Sequence, residues 1–394
     1  MRHFHNAFVC SIMLAFLAGF MPMTANGQTS STEDEIDFRF YGFVKLEAIY
    51  DNTELAKGDW LLYARPDGTL ASRQNAYTMN ARHTRLGVDI TGITLGENGK
   101  IKSVAEVDFA GGYPNSSTAA RQPNLRLRHA WVAIVYPEWE ARFGQDWALI
   151  AGPFPNTTSF VVGAGKGNLW MRYPQIKFTV KQEKFNWAVS LNRPMAGNTK
   201  YEDFAGGDFD PVGDGELSGL PWIMSRLWIP MGASMFSVSG HVGKERMLDL
   251  SDVAHDKNSA SLNADLVVSA NPVTFTVRGF VGANLNSFFG GVFQGANKYQ
   301  TGVHNIHTRG GWAQMVAKFD SKWSGTIGCG MDNPYDSDLN AGQRCRNDWV
   351  FTNLTCSINK NLSFMLEYDY LKTHYMADDA GVNHRIQFVN YFKF

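Results

Sequence analysis

The 394 residues carry 36 Lys and Arg against 37 Asp and Glu, a net charge of −1, and a nucleic-acid partner would require a strong basic excess. Arg2, His3 and His5 open the chain, an apolar stretch runs from Ala7 to about Phe20, and Thr24-Ala25-Asn26-Gly27 supplies the small residues a signal peptidase reads. Residues 1–27 therefore read as an export signal cleaved after Gly27, too short in its apolar core for a spanning helix of ~20 residues.

Cys10 lies inside that signal without a lipobox. Cys329, Cys345 and Cys356 remain in the mature part at irregular spacing, which is neither a disulfide framework nor a metal signature. A Cys329–Cys345 bridge across one loop stays open. No cofactor and no metal is expected. No later apolar run reaches helix length, while 13% aromatic residues and 38 glycines suit strands and turns. A soluble periplasmic protein and a transmembrane β-barrel both survive this test.

Alternation separates them. Along Ile36 to Asp51, Ile36, Phe38, Phe40, Gly42, Val44, Leu46, Ala48 and Tyr50 share one face, and Asp37, Arg39, Tyr41, Phe43, Lys45, Glu47 and Ile49 share the other. Soluble strands usually end after about six residues, whereas a barrel strand spans ~10 or more with its apolar face toward lipid. The pattern recurs at Leu86, Val88 and Ile90 against Arg85 and Asp89, and at Val107 and Phe109 against Glu106 and Asp108. It continues at Leu125 and Leu127 against Arg126 and Arg128, at Ile176, Phe178 and Val180 against Lys177 and Lys181, and at Phe185, Trp187, Val189 and Leu191 against Asn186, Ser190 and Asn192. Val273, Phe275 and Val277 oppose Thr274, Thr276 and Arg278, and Leu362, Phe364, Leu366 and Tyr368 oppose Ser363, Glu367 and Asp369.

Connections alternate too. Tight turns fall near 96–99, 136–138, 182–184, 230–232, 271–272, 321–322 and 359–361. Long loops fall at 52–75, 111–121, 147–172, 193–219, 244–258, 286–309, 333–344 and 373–381. Short turns on one rim and long loops on the other are expected of outer-membrane barrels. The sequence thus predicts an all-β, antiparallel transmembrane β-barrel of about sixteen strands over 36–394, both ends on the tight-turn rim, after a short periplasmic segment 28–35. The last strand ends on Phe394, an aromatic of the kind that barrel-assembly machinery recognises.

Sixteen strands are wide enough for a water-filled channel. By alternation Arg39, Lys45, Arg85, Arg126, Arg128, Arg142, Arg172 and Lys177 project inward, with Glu47, Asp89, Glu106 and Asp108 among them. Guanidinium groups in a narrow pore bind carboxylates bidentately, so this set predicts a path for small anions, although pairing across the wall is an equal use for any one of them. The stretch from Trp147 to Met171 is long, low in charge and rich in Gly, Pro and apolar residues. Such a loop could fold into the lumen, with Trp147 and Lys166 as constriction candidates, or equally pack on neighbouring loops or a subunit contact.

The stretches Gly42 to Asp51, Arg85-Leu86-Gly87-Val88, Glu106-Val107-Asp108-Phe109, Leu125 to Ala130, Gly144-Gln145-Asp146-Trp147, Arg172 to Lys177 and Glu367-Tyr368-Asp369-Tyr370 together resemble the DcaP-like porins. The resemblance implies a homotrimer of sixteen-stranded barrels in the outer-membrane lipid, passing small organic anions, dicarboxylates among them. It places Arg85, Arg126, Arg128 and Arg172 along the channel. Some members carry a helical segment before the barrel, where this chain has Gln28 to Glu35. The match is weaker from about Leu220 to Val281.

Two rivals remain. A barrel enzyme would need a nucleophile beside a base, yet His83, His129, His241, His304, His307, His374 and His384 are scattered and no G-x-S-x-G motif accompanies them. Long loops would also serve an adhesin or receptor. Inward aromatics at Tyr41, Phe43, Trp349 and Phe351 keep a sugar or general-diffusion porin in play.

Overall fold

The computed structural model describes residues 35–111, 123–195 and 213–394. The predicted leader and residues 28–34 lie outside that set, as does most of the loop expected at 111–121.

Sixteen spanning strands alternate in direction. The first eight are β1 (Asp37–Asp51), β2 (in two pieces, Ala76–Asn80 and Arg85–Leu95), β3 (Gly99–Gly111), β4 (Asn124–Val135), β5 (Trp139–Trp147), β6 (Arg172–Lys181), β7 (Asn186–Asn192) and β8 (Trp222–Met231). The second eight are β9 (Ser234–Leu248), β10 (Ala254–Ala270), β11 (Val273–Ala283), β12 (His307–Lys318), β13 (Trp323–Pro334), β14 (Arg344–Ser357), β15 (Leu362–Tyr375) and β16 (Gly381–Lys393). Each pairs antiparallel with the next, and β16 returns to β1 from Phe43↔Lys393 to Asp51↔Arg385. The sheet has no free edge, as lipid demands of any spanning sheet. Phe394 completes the seam, exchanging backbone hydrogen bonds of 3.2 Å with Gly42.

The faces fall as the alternation requires. Phe38, Phe40, Val44 and Leu46 are 56%, 74%, 48% and 39% exposed, whereas Lys45 and Glu47 are 4% and 0% exposed. A greasy outside and a polar inside exist only if the sheet closes around the charges.

Three departures from a regular ladder matter. The two pieces of β2 both pair with β1. Between them Ala81–Thr84 makes a turn, and Lys45 N donates to Thr84 Oγ1 at 3.1 Å across the break. On β4 the register slips between Glu106↔His129 and Val107↔Leu127, which sends both Arg128 and His129 inside. The third departure corrects the loop expected at 244–258. It is mostly strand, with pairing unbroken from Lys244↔Asn258 to Leu248↔Ala254. Arg246 and Asp256, 2.7 Å apart, stand opposite each other there. Both faces mix charged and apolar residues, Leu248 exposed beside Arg246 and Met247 buried beside Glu245, so polarity does not alternate cleanly there.

The Cys329–Cys345 bridge is not formed, and all three described cysteines are free. Cys329 pairs with Val350, five residues along β14 from Cys345, a separation of about 17 Å at ~3.3 Å per residue, far beyond disulfide reach.

Val277 is 51% exposed at the middle of β11. Val277→Arg is expected to cost about 2–4 kcal/mol in reversible refolding into lipid vesicles, as cations do on the lipid face near the midplane. An unchanged unfolding midpoint would mean that this face does not meet lipid.

Candidate functional site

The loop between β5 and β6 enters the barrel and crosses it. Its first limb is fixed by two wall arginines that donate to backbone carbonyls. Arg226 Nη1 reaches Leu149 O (3.3 Å) and Ala151 O (2.6 Å), while Arg278 reaches Ile150 O and Asn168 Oδ1 (3.1 Å for the latter). Both arginines share Asp265, at 2.7 and 3.2 Å, so the buried charges are compensated as they must be.

The tip is held by the opposite wall. The Glu367 carboxylate accepts from Thr157 Oγ1 (2.5 Å), Thr158 N (2.9 Å) and Thr158 Oγ1 (2.8 Å). Asn353 Nδ2 donates to Asn156 O (2.7 Å), and Lys45 Nζ to Thr158 O (3.2 Å). A second inward loop, 284–306, meets the first where Gly165 N donates to Phe289 O at 2.9 Å. These loops fill the lumen beside β8–β15 with buried clusters, among them Trp170, Trp349 and Phe351.

What remains open lies on the other side. A pocket of about 280 Å³ separates the loop tip from β1, β2, β4 and β6. Lys45, Arg85, Arg128 and Arg172 line it with Phe43, Trp147, Phe154, Phe160, Trp170 and Tyr391, and none of its lining residues is acidic. The carboxylates stand behind the cations. Glu47 is 2.5 Å from Lys45, and Glu106 holds Arg128 at 2.6 Å and lies 3.4 Å from Arg85. Asp108 holds Arg126 at 2.6 Å and Arg128 at 2.8 Å.

Arg172 differs. Its guanidinium carbon lies 4.6 Å from the Trp147 ring and 5.9 Å from the Trp170 ring, and it makes no ion pair among the described residues. Two indoles stabilise a cation without neutralising it.

The other expected cations fall elsewhere. Arg126 lies beside the pocket with its guanidinium 5.2 Å from the Phe160 ring. Arg142 and Lys177 meet at Asp146, 2.5 and 2.8 Å away, nearer the tight-turn rim. Arg39 is 76% exposed at that rim and paired with Asp89, so it mans the mouth and not the constriction. Lys166, expected at the constriction, is fully buried behind the loop, where its ammonium donates to Leu61 O and Ala164 O.

Arg172 and Lys177 sit on opposite parities of β6, so alternation alone does not send both inward. Arg172 gets there as the strand's first residue, paired with Trp147 where the loop leaves the wall. Of the aromatics expected to face solute, Phe43 does so. Trp349 and Phe351 are stacked at 4.2 Å and sealed under the loop.

Sequence reasoning missed His83, stacked on Phe160 with ring centroids 3.6 Å apart and bonded to Glu47. It lies in the break in β2, where no alternation exists to read. His129, 3.1 Å from Asp146, was hidden by the register slip on β4.

No family model and no curated relative matches the chain, but solved structures do. The outer membrane channel DcaP of Acinetobacter baumannii superposes with a TM-score of 0.74 at 19% identity, covering 92% of this chain and 99% of that one. The fold is that of the outer-membrane porins. Salmonella typhi OmpF, solved with daunomycin, gives 0.62 at 11% identity over 92% and 98% of the two chains. Vibrio cholerae OmpT in a trimer form gives 0.58 at 10% identity over 92% and 100%. Within this porin fold, the inward loop and the cations facing it bound the pocket of about 280 Å³.

Glu367→Ala removes three bonds to the loop tip and leaves their buried donors unpaired, at roughly 1–3 kcal/mol each. Single-channel recordings should show a noisier and more conductive pore. An unchanged trace would show that Glu367 does not hold the tip.

Proposed function

We propose that this chain is a passive outer-membrane porin whose constriction favours small organic anions, dicarboxylates among them, and that it works as a homotrimer exported by its N-terminal signal and folded by barrel-assembly machinery reading Phe394. The observation that carries the anion preference is Arg172, a cation without an ion-pair partner among the described residues, in a pocket lined by three further cations and no carboxylate. A carboxylate entering there finds donors on one side, from Lys45, Arg85, Arg128 and Arg172. On the other it finds the rings of Phe154 and Phe160 and the hydroxyls of Thr157 and Ser159.

The mechanism is replacement of hydration. A solute carboxylate sheds water against donors already held in place by the carboxylates behind them, so little reorganisation accompanies its passage. Paired guanidiniums keep spare N–H groups for this purpose, since each has five donors and a carboxylate behind it occupies two or three. The Asp146 group continues the route toward the periplasm with Arg142, Lys177 and His129. Its alternating charges hold no anion tightly and let it leave.

A second reading has its own observation. Most lumen cations are ion-paired, which favours a weakly selective diffusion pore over a specific one.

Reversal potentials in planar bilayers under a salt gradient separate the two. The wild type should prefer chloride to potassium, in three coupled conductance steps. Arg172→Gln should lower that preference by about fivefold, the equivalent of ~1 kcal/mol for one charge at 4 Å in watery surroundings, while Arg172→Lys keeps it. Cation selectivity in the wild type, or no change in Arg172→Gln, would leave the weakly selective pore. Absence of channels would remove both readings.

A further inference from the structure

A second arginine is built like Arg172. Arg344 opens β14 at the long-loop rim, and the alternation of that strand would point it outward with Arg346, which is exposed. A bulge reverses it. Arg346 pairs with His374 but Arg344 with Tyr375, so β14 carries one extra residue, Cys345, between them. Tyr375 shares the inward parity of Thr373, which is fully buried, and Arg344 turns inward beside it. Re-aiming a side chain is what a bulge does at a barrel rim.

The two inward loops then fix it. The Gln294 side chain accepts from Arg344 N at 3.0 Å and donates to Arg344 O at 2.7 Å. Arg344 Nε donates to Val292 O at 2.9 Å. From the loop 52–75, the Tyr63 ring lies 4.3 Å from the guanidinium carbon, a contact that steadies a cation without neutralising it.

The charge itself is left over. Arg344 is half-buried, it makes no ion pair among the described residues, and its two terminal nitrogens have no hydrogen-bond partner there. The carboxylates of this rim are engaged elsewhere or stand apart. Asp332 is buried and accepts from Thr308 Oγ1 at 2.8 Å and Val292 N at 3.2 Å. Asp348 faces outward with Arg346 and His374, and Asp338 holds His307. Asp336 and Asp378, in the connections before β14 and after β15, form no ion pair with Arg344. A strut between two loops would need only the carbonyl bond and the ring contact. The free end of the guanidinium serves neither.

Its height decides what it can meet. Asn347, three residues along β14, donates from Nδ2 to Gly165 O of the crossing loop at 2.8 Å. Arg344 therefore stands up to about 10 Å nearer the long-loop rim, at ~3.3 Å per residue. Long loops mark the extracellular side, so a solute from outside passes Arg344 before it reaches the pocket of Arg172.

We infer that Arg344 is an outer station for the carboxylate of an incoming anion, gripped by the two terminal nitrogens and then passed to the pocket of Arg172. The inference rests on the anion-selective pore proposed above and adds to it a direction. One planar fork suits one carboxylate, and a site without a second cation binds weakly enough to release it, as conduction requires.

Single channels in planar bilayers test this, with succinate added to one chamber at a time at low salt and its current interruptions counted. Orientation is assigned by biotin on Leu70→Cys, 76% exposed in the loop 52–75, and by streptavidin in one chamber. Wild-type interruptions should start more often from the long-loop side. Arg344→Gln should lower that association rate about fivefold, the effect of one charge at ~4 Å in water, and leave the rate from the tight-turn side unchanged. Arg172→Gln should shorten the interruptions from both sides. Arg344→Lys keeps the charge and loses the fork, so its association rate should hold while its interruptions shorten severalfold. That variant decides alone if Arg344→Gln forms no channels. At 1 M salt, where the Debye length is ~3 Å, the two sides should become equal. Equal rates from both sides in the low-salt wild type, or an Arg344→Gln variant that matches the wild type, overturns the outer station and leaves the anion-selective pore standing. Cation-selective wild-type channels overturn that pore and the station with it.

Discussion

In the hydrocarbon layer a backbone amide finds no water, and every N–H and C=O must be satisfied by the protein itself. A sheet meets that condition only by closing, and the ladder from β1 through β16 back to β1 does so. Closure at sixteen strands then creates a second problem. The cylinder is too wide for its own inward side chains to fill, so its interior must be filled by something else or left wet. Here both happen, on opposite sides.

The filled half is built by polar groups that hold chain. Arg226 and Arg278 do not pair simply with a carboxylate across the wall. They use Asp265 for charge balance and spend their remaining donors on the carbonyls of Leu149, Ile150 and Ala151. A loop inside a barrel carries unpaired carbonyls of its own, and wall guanidiniums satisfy them at fixed positions. Glu367 does the converse for donors at the tip. Donors from one wall and acceptors from the other thus stretch the loop across the lumen, and the apolar clusters around Trp170 and Tyr173 fill the space on either side of it.

How much of this was legible follows from which signals are local. Period-two alternation is set by the backbone itself, so strands such as Asp37–Asp51 and Leu362–Tyr375 could be read directly, whereas the lack of charge in the 147–172 stretch fitted an inward course and a packed loop or subunit contact equally. The failures share a cause. His129 turns inward because a residue slips, His83 sits in a broken strand, and Arg172, read as inward, is there as the strand's first residue and against the parity of β6. Each depends on which residue of a neighbouring strand stands opposite, and a single sequence does not record that register. Lys166 was misplaced for a related reason, since a charged residue in an inward loop reads as facing water. Its partners, the carbonyls of Leu61 and Ala164, have no sequence signature.

The open half raises the question of why so many charges face one another there. An isolated guanidinium in a confined, poorly hydrated space would be costly to hold, and carboxylates placed behind Arg85, Arg126 and Arg128 lower that cost. Full compensation, however, would erase the field that a passing solute feels. Arg172 escapes this by position. It enters from the strand end, beyond the reach of Asp108 and Asp146 as ion-pair partners, and rests against Trp147 and Trp170. The indole quadrupoles ease the burial of its charge but carry no net charge of their own, so its field survives in the pocket. The compensated cations supply oriented donors and Arg172 supplies the uncancelled charge. The position of Arg172 at a loop junction, off the regular wall, is what lets the two roles be held by different residues.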